Sequence, residues 1–550
     1  MKPSYGSITK DAKTLLSSQG NFLLLGKAPE SRYQGIFFFE DILFKVIEDI
    51  KVQGELTDVK NRINHFTRHR GNLKETYFLN SCLHYNLNKK AEVEIILDPR
   101  PPYDTKQFGR FFETWAEDGK IIIKFTKRTD SREDPSDGDE EYSLFIVIKS
   151  DTADYQLKSA WSENHYPEDL ARTSPPYSRY VFHALSLNTS SLIISVSEDK
   201  DAALAKIKNP TIPVIKDHSA YSCAKYSVNS LYNGNGLYAG LPWFFQVWFR
   251  DEAISLKALE KNTAKKILLR QLSNISDDGR TRAKIGDSFT SADAIGWIYK
   301  RAEEMLELLS AQERQMLKDK LIYSIDQIKK RYSKEFLIYN QEKETWMDSI
   351  PRKGASIEIQ ALMLNMYRLC FKLTPQAKYK LMEKNLKFHV RKNFWNGKYL
   401  NDQLNDKTIR PNLFIAAYIY PELLSEKEWI SCFDYALPKL WNSWGGLSTI
   451  DKSDPRYLAN STGEISLSYH NGDSWFWINN LAAIVMNRID KKKFKSYIDK
   501  IYAASSKEII TMGAIGHHAE LSSSSKLKSE GCLAQSWSAA MFVELHEELL

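Results

Sequence analysis

The chain has 550 residues, 43% hydrophobic and 26% charged, a balance that excludes wholesale disorder and a length that favours two domains over one. Its formal net charge of +7, from 76 basic and 69 acidic residues, is too slight over so large a surface to point to nucleic acid. The five cysteines, Cys82, Cys223, Cys370, Cys432 and Cys532, lack the short spacings of zinc or redox sites and read as reduced thiols. No signal-peptide core follows Met1, and no apolar run is long enough to span a bilayer. The expectation is therefore a cytoplasmic protein with neither a nucleic-acid nor a membrane partner.

The first two hundred residues read as strands. Segments 91–97, 120–125, 142–148 and 191–196 are short, rich in β-branched and aromatic residues, and separated by polar turns. They predict an N-terminal antiparallel β-sandwich over residues 1–208. The acidic stretch from Asp130 to Glu141, with Pro135 and Gly138, predicts a solvated hairpin loop.

Beyond Pro210 and Pro213 the period changes. Leu317, Leu321, Ile325 and Ile328 recur at helical spacing, and Ser310 with Glu313 forms a capping-box pattern ahead of them. Ser425 and Glu428 repeat the device, and Thr374-Pro375 predicts a cap and first-turn proline for another helix. Residues 357–373 are apolar nearly all round and need cover on both sides. Buried and one-sided helices in alternation predict two concentric layers, an all-α barrel over residues 209–550. A solenoid finds no fixed sequence period to support it.

Chemistry-bearing residues gather in the second part. Only Trp115 and Trp161 of the 13 tryptophans precede residue 240. The stretch 239–256 crowds Trp243, Phe244, Phe245, Trp248 and Phe249 against Arg250 and Asp251. In 345–359, Asp348 lies beside Trp346, where an apolar ring raises a carboxyl's pKa and prepares it to donate a proton; a turn cap is the plain alternative. In 469–477, Tyr469, His470 and Asn471 precede Asp473, Trp475 and Trp477. There the plain reading is a helix capped by Asp473 with core tryptophans. The run His517-His518-Ala519-Glu520 does not make a metal site, because adjacent histidines point apart and no third ligand follows at a useful spacing. Glu520 reads instead as an ionised carboxylate in a site loop.

Three loops that each join aromatic rings to a carboxylate, amide or guanidinium suit a sugar. A pyranose packs its C–H face on rings, while its hydroxyls take charge-assisted hydrogen bonds from groups such as Arg250 and Asp251. No glycine-rich loop or basic cluster accompanies them, which disfavours phosphate.

These stretches also resemble a known family, the glucosidase part of glycogen debranching enzymes. The resemblance rests on 239–251, Trp346-Met347-Asp348, Pro351-Arg352 to Glu358, Arg410-Pro411-Asn412, Tyr469-His470-Asn471-Gly472 and 531–538, all in the family's order. It implies an (α/α)6 barrel related to glucoamylases, acting with inversion on α-glucosidic bonds. It implies Asp348 as general acid and Glu520 as general base. It further implies substrate contacts from Trp243, Trp248, Arg250, Asp251, Asp293, Trp346, Arg352, Glu358, Tyr469, His470, Asn471, Trp475 and Trp537. The expected substrate is a terminal α-linked glucose, foremost the α-1,6 branch stub of glycogen or a starch-like maltooligosaccharide, with no metal or cofactor. A glucoamylase or trehalase with the same carboxyl pair is the near alternative, and a non-catalytic oligosaccharide-binding protein the distant one. The chain departs from the family's pattern at Phe249, in 473–477 and in 521–530.

Overall fold

The computed structural model describes residues 13–129, 140–207, 215, 217–286, 288–463 and 466–550. The stretch read as an acidic hairpin loop thus falls outside the described residues over 130–139, as do Pro210 and Pro213 at the expected boundary. Two compact units make up the chain. One runs through Ser219 and takes in Ser230–Gly234 and Ala514–Gly516; the other holds Ala220–Asn229, Asn235–Gly513 and His517–Leu550.

The first unit is a large antiparallel sheet. Its strands are β1 (Thr14–Ser18), β2 (Asn21–Leu25), β3 (Gly35–Phe39), β4 (Leu43–Val52), β5 (Asp58–Asn61), β6 (His65–Arg70), β7 (Leu73–Leu79), β8 (Leu83–Arg100), β9 (Arg110–Glu117), β10 (Lys120–Thr129), β11 (Glu140–Ser150), β12 (Gln156–His165) and β13 (Ser178–Ser197). Two short helices join them, α1 (Pro167–Ala171) and α2 (Lys200–Lys206). Hydrogen bonding links the strands in the order β1-β2-β3-β4-β8-β13-β11-β10-β9. The sequence segments at 91–97 and 191–196 are therefore only parts of the long strands β8 and β13.

This sheet folds over on itself. Phe44 of β4 lies 5.4 Å from Tyr142 of β11, ring to ring, although β8 and β13 intervene. In a flat sheet those strands would stand about 14 Å apart at the usual spacing. The curl explains why β10 carries isoleucine at three consecutive positions. Ile121 and Ile123 enter the main core, while Ile122 packs with Val147 and Ala203 beneath α2, so both faces are covered. A buried aspartate, Asp98, adds a polar fastening: Arg100, Arg110 and Arg179 approach it at 2.6, 3.2 and 3.4 Å. Burial raises its pKa, and the positive charges of Arg100, Arg179, Lys45 and Arg110 more than reverse that, holding the carboxyl well below the usual range.

The second unit is helical: α3 (Ala220–Ser230), α4 (Phe249–Ser255), α5 (Lys261–Ser273), α6 (Ala294–Glu304), α7 (Ala311–Tyr332), α8 (Ile357–Leu373), α9 (Ala377–Phe394), α10 (Asn412–Ile419), α11 (Glu426–Leu440), α12 (Phe476–Thr511) and α13 (Ser536–Leu549). At Asp490 (φ −155°, ψ 87°) α12 breaks into two helical pieces. The predicted capping boxes close the N-termini of α7 and α11 as the sequence implied. Thr374-Pro375 differs: Thr374 ends α8, and α9 begins after Gln376 without a side-chain cap. The reason is that Thr374 N–H still bonds to the Cys370 carbonyl, completing the earlier helix.

Two kinds of helix alternate. α4, α10 and the first part of α12 are buried at every position, and α8 is buried from Ile357 through Tyr367. By contrast α7, α9 and α11 bury a single stripe and offer their other sides to water. Among the buried set, α4 packs on α6 and α13, α6 on α8, α8 on α10, α10 on α12, and α12 on α13. No helix among the described residues is long and apolar enough to cross a membrane.

Candidate active site

Loops between these helices carry the polar residues picked out from the sequence. Gly240–Leu241 forms a short antiparallel ladder with Ala534–Gln535, which brings the aromatic stretch against the chain's last helix. A Cβ on Gly240 would meet the Gln535 amide oxygen at 1.9 Å, so only glycine admits this approach. Gln535 in turn donates to Asp251 Oδ1 at 3.1 Å.

Arg250 and Asp251 occupy the first turn of α4. Arg250 reaches away from its neighbour: its Nε donates to Asp293 Oδ1 at 2.8 Å, and its Nη1 stands 3.8 Å from Asp348 Oδ2. Asp293 is thereby fully engaged, because Ser291 also donates to Oδ1 and the Trp346 N–H to Oδ2.

Behind Asp348 lies an ionic anchor. Arg352 donates to Glu358 through both terminal nitrogens (2.6 and 3.1 Å), to Asp402 through Nε (3.0 Å) and to Thr345 (3.0 Å). Asp402 also accepts from Asn412 at 2.7 Å, whose oxygen receives the Trp346 indole N–H at 2.7 Å. Ring edges of His470, Trp475 and Trp477 meet the Trp346 ring at 5.0–5.7 Å, which fixes the Trp-Met-Asp turn from both sides.

Glu520 is held differently. The Tyr469 hydroxyl donates to Oε1, and the Cys532 N–H donates to Oε2 at 2.9 Å. A Cβ on Gly531, at φ +70°, would meet Oε2 at 2.3 Å, so this glycine provides both the turn and the room.

Together these elements enclose a cavity of about 240 Å³ lined by Ala239, Phe244, Trp248, Arg250, Asp251, Trp346, Asp348, Tyr469, Trp475, Glu520, Gln535 and Trp537. Three carboxyls face it. Burial pushes Asp251 and Glu520 up to about 7 and Asp348 up to about 6. Arg250 opposes the rise at Asp348 and Asp251, and the two donors oppose it at Glu520. The negative charge of Asp348 adds to the rise at both other carboxyls, so their protons titrate as a set. Asp348 is the most open of the three, its side chain 37% exposed.

Several sequence expectations change here. Arg352 and Glu358 do not line the cavity: they pair with one another, and Arg352 also pairs with Asp402, in the interior. Asp293, His470 and Asn471 also stand behind the wall, tied respectively to Arg250, Ser349 and Arg410. Trp243 yields its place to its neighbour Phe244. Asp473 does not cap α12; its Oδ2 accepts the hydroxyls of Ser468 and Ser461, and Trp475 occupies the cap position. Sequence reasoning passed over Gln535, although it sits within the 531–538 motif, and Asp402, which no local signal marks. Among the described residues no group of His, Cys, Asp and Glu is placed to hold a metal. His517 bonds Ser227, and His518 bonds Glu508.

A family model described as amylo-alpha-1,6-glucosidase matches residues 221–544. The chain belongs to this family. That makes it a glycoside hydrolase. No curated protein matches it in sequence. Its fold is similar to that of a bacterial glucoamylase solved with acarbose: TM-score 0.61, 12% identity, 99% of this chain and 94% of that one. A GH63 mannosylglycerate hydrolase from Thermus thermophilus in complex with glucose is more distant, with TM-score 0.46, 11% identity, 59% of this chain and 99% of that one.

Proposed function

We propose that this amylo-alpha-1,6-glucosidase family member is an inverting exo-α-glucosidase that removes a terminal α-linked glucose, with the α-1,6 branch stub of a maltooligosaccharide or glycogen as its preferred substrate. The observation that carries the reading is Asp348 and Glu520 on one ring-walled cavity of about 240 Å³. We place the catalytic domain in residues 209–550 and read its helices as an (α/α)6 barrel. The cyclic packing of α4, α6, α8, α10, α12 and α13 supports that reading.

In the reaction, Asp348 gives its proton to the glycosidic oxygen while Glu520 takes one from a water attacking the opposite face of C1. The environments favour these roles. Both Glu520 oxygens already accept fixed donors, which stabilises the carboxylate a base must be. Asp348 is the more open of the two, which suits the group that meets a departing sugar. Taken singly the two carboxyls order the other way, near 7 and near 6, so Glu520 binds the shared proton better in the empty cavity. Substrate reverses this bias by excluding water and laying the glycosidic oxygen against Asp348. Trp248, Trp346, Trp475 and Trp537 supply faces for the sugar ring, and Arg250, Asp251 and Gln535 meet its hydroxyls. The glucoamylase of similar fold was solved with acarbose, and we expect acarbose to occupy this cavity too.

Incubation with panose, isomaltose, maltotriose and trehalose tests the proposal. Fastest glucose release from an α-1,6-linked terminus is expected. Exclusive cleavage of trehalose would make the enzyme a trehalase, and acarbose binding with no product from any sugar would make it a binding protein.

A further inference from the structure

Close to Glu520, the described structure holds a buried acid that the reaction does not use. Glu508, on the second piece of α12, is 0% exposed, as is His518. Its Oε2 lies 2.6 Å from His518 Nδ1 and accepts the Ala519 N–H at 3.4 Å. Its Oε1 accepts the Ser529 hydroxyl at 2.6 Å. One carboxylate therefore grips both stems of the loop whose interior edges carry Glu520 and its donor Cys532.

The surroundings are built around this grip. Asn480 places its amide nitrogen 3.4 Å from His518 Nε2, and the Ser505 hydroxyl donates to the Asn480 oxygen. An ionised Glu508 carboxylate only accepts, so His518 Nδ1 carries the hydrogen given to it and Nε2 is left as the acceptor for the Asn480 amide. A Cβ on Gly513, at φ +51°, would meet the Ser529 hydroxyl at 2.5 Å, so glycine there lets Ser529 reach Glu508. Within the loop, Leu521 and Glu530 exchange backbone hydrogen bonds, and the Glu520 N–H bonds the Cys532 carbonyl at 2.9 Å. A shift of either stem therefore moves the Glu520 carboxyl relative to Cys532 and Tyr469.

We propose that Glu508 is a positioning residue that sets the geometry of Glu520 by clamping Ala519 and Ser529, with His518 as the rigid spacer. This rests on the reading of Glu520 as the base. A base displaced from its two donors loses stabilisation of its charged form, so its pKa climbs. The signature of a broken clamp is then a lower kcat, a nearly constant KM, and an acid limb of the kcat–pH profile, where bound substrate has made Glu520 the weaker proton binder, moved to higher pH.

The test uses the full chain with Ser529→Ala, Glu508→Gln and Glu508→Ala, assayed on panose below their unfolding temperatures. A misplacement of a catalytic group by about 1 Å or less costs roughly 10- to 100-fold in rate. Ser529→Ala should lose kcat in that range with KM within twofold and the acid limb shifted upward. Glu508→Gln, which keeps an acceptor for His518, should lose less than Glu508→Ala. If Glu508→Ala does not fold, Ser529→Ala decides. Amide hydrogen exchange over 517–533 gives a readout independent of activity: faster exchange at Glu520 and Cys532, confined to this loop, is expected. An active Ser529→Ala variant with unchanged kcat and acid limb overturns the proposal, whatever its exchange. Should the wild type hydrolyse no glucoside, the reading of Glu520 as base fails, and unchanged exchange in Ser529→Ala then overturns the clamp as well.

Discussion

The turn that carries Asp348 and the loop that carries Glu520 solve one problem by opposite means. Asp348 is fixed from behind by charge: Arg352 binds Glu358 and Asp402, and Asn412 relays that anchor to Trp346. Glu520 is fixed by direct donors on its own oxygens, Tyr469 and Cys532. The first arrangement leaves the Asp348 carboxyl without a donor that would hold it ionised, apart from Arg250 at 3.8 Å and its own backbone N–H. The second stabilises a carboxylate. Polar support on the side chain itself thus favours an ionised Glu520, and support on the turn behind leaves Asp348 free to hold a proton, a difference that burial outweighs until substrate arrives.

The sharpest way to break this comparison is to remove each carboxyl. Asp348→Asn and Glu520→Gln should each lose about 100- to 10,000-fold in kcat on panose. With α-glucosyl fluoride, whose leaving group needs no proton, Asp348→Asn should recover much of that loss and Glu520→Gln should recover none. Equal recovery in both would contradict the roles.

Next comes the ionic anchor. Asp402→Ala leaves the Nε of buried Arg352 and the Asn412 amide without their acceptor, a defect that costs about 1–3 kcal/mol for each group, read as a lowered denaturation midpoint. Ser529→Ala on the other loop should cost only about 1 kcal/mol. A comparable stability loss in the two variants would erase the distinction between a charge-anchored and a hydrogen-bonded loop.

Gly531→Ala places a methyl group against Glu520 Oε2 and strains a positive φ. It should lower kcat with little effect on acarbose binding, measured by tryptophan fluorescence. A smaller effect comes from pH. With Glu520 near 7 and Asp348 near 6, kcat/KM should follow a narrow bell. Only the arrangement with Asp348 protonated and Glu520 ionised is productive, so the rate falls at low pH as both carboxyls protonate and at high pH as both ionise, and both apparent values belong to the pair.

Asp473, raised by burial to about 7, gives a stability counterpart. The folded state keeps a proton that the unfolded chain releases between about pH 4 and 7, so wild-type stability falls as pH rises through that window. Asp473→Asn removes the dependence, and its advantage should grow from nothing at pH 4 to about 1–3 kcal/mol at pH 8.

Much of this was legible in the chain itself because it depends on local pattern. The all-round apolar run 357–373 became α8 with those bounds, and two Ser-x-x-Glu pairs became capping boxes. The differences between expectation and structure have a common cause. Arg352 and Glu358 carry charges beside a site motif, and in sequence a charge that touches substrate looks the same as one that is neutralised in the interior. What separates them is Asp402, fifty residues from Arg352 in the chain, a partner that only the folded backbone supplies. Asp473 was misjudged for a similar reason: the hydroxyls that occupy it, on Ser461 and Ser468, lie before it in a loop without periodicity. Gln535 was hidden because its neighbour Trp537 carried the more recognisable aromatic signal.

Proton NMR of the first glucose released from panose tests the central claim directly, because it reads the chemistry of Asp348 and Glu520 acting together across the cavity. Inversion by this pair gives β-glucose before mutarotation, with the signal absent in Glu520→Gln. Initial release of α-glucose, or β-glucose undiminished in that variant, would contradict the account.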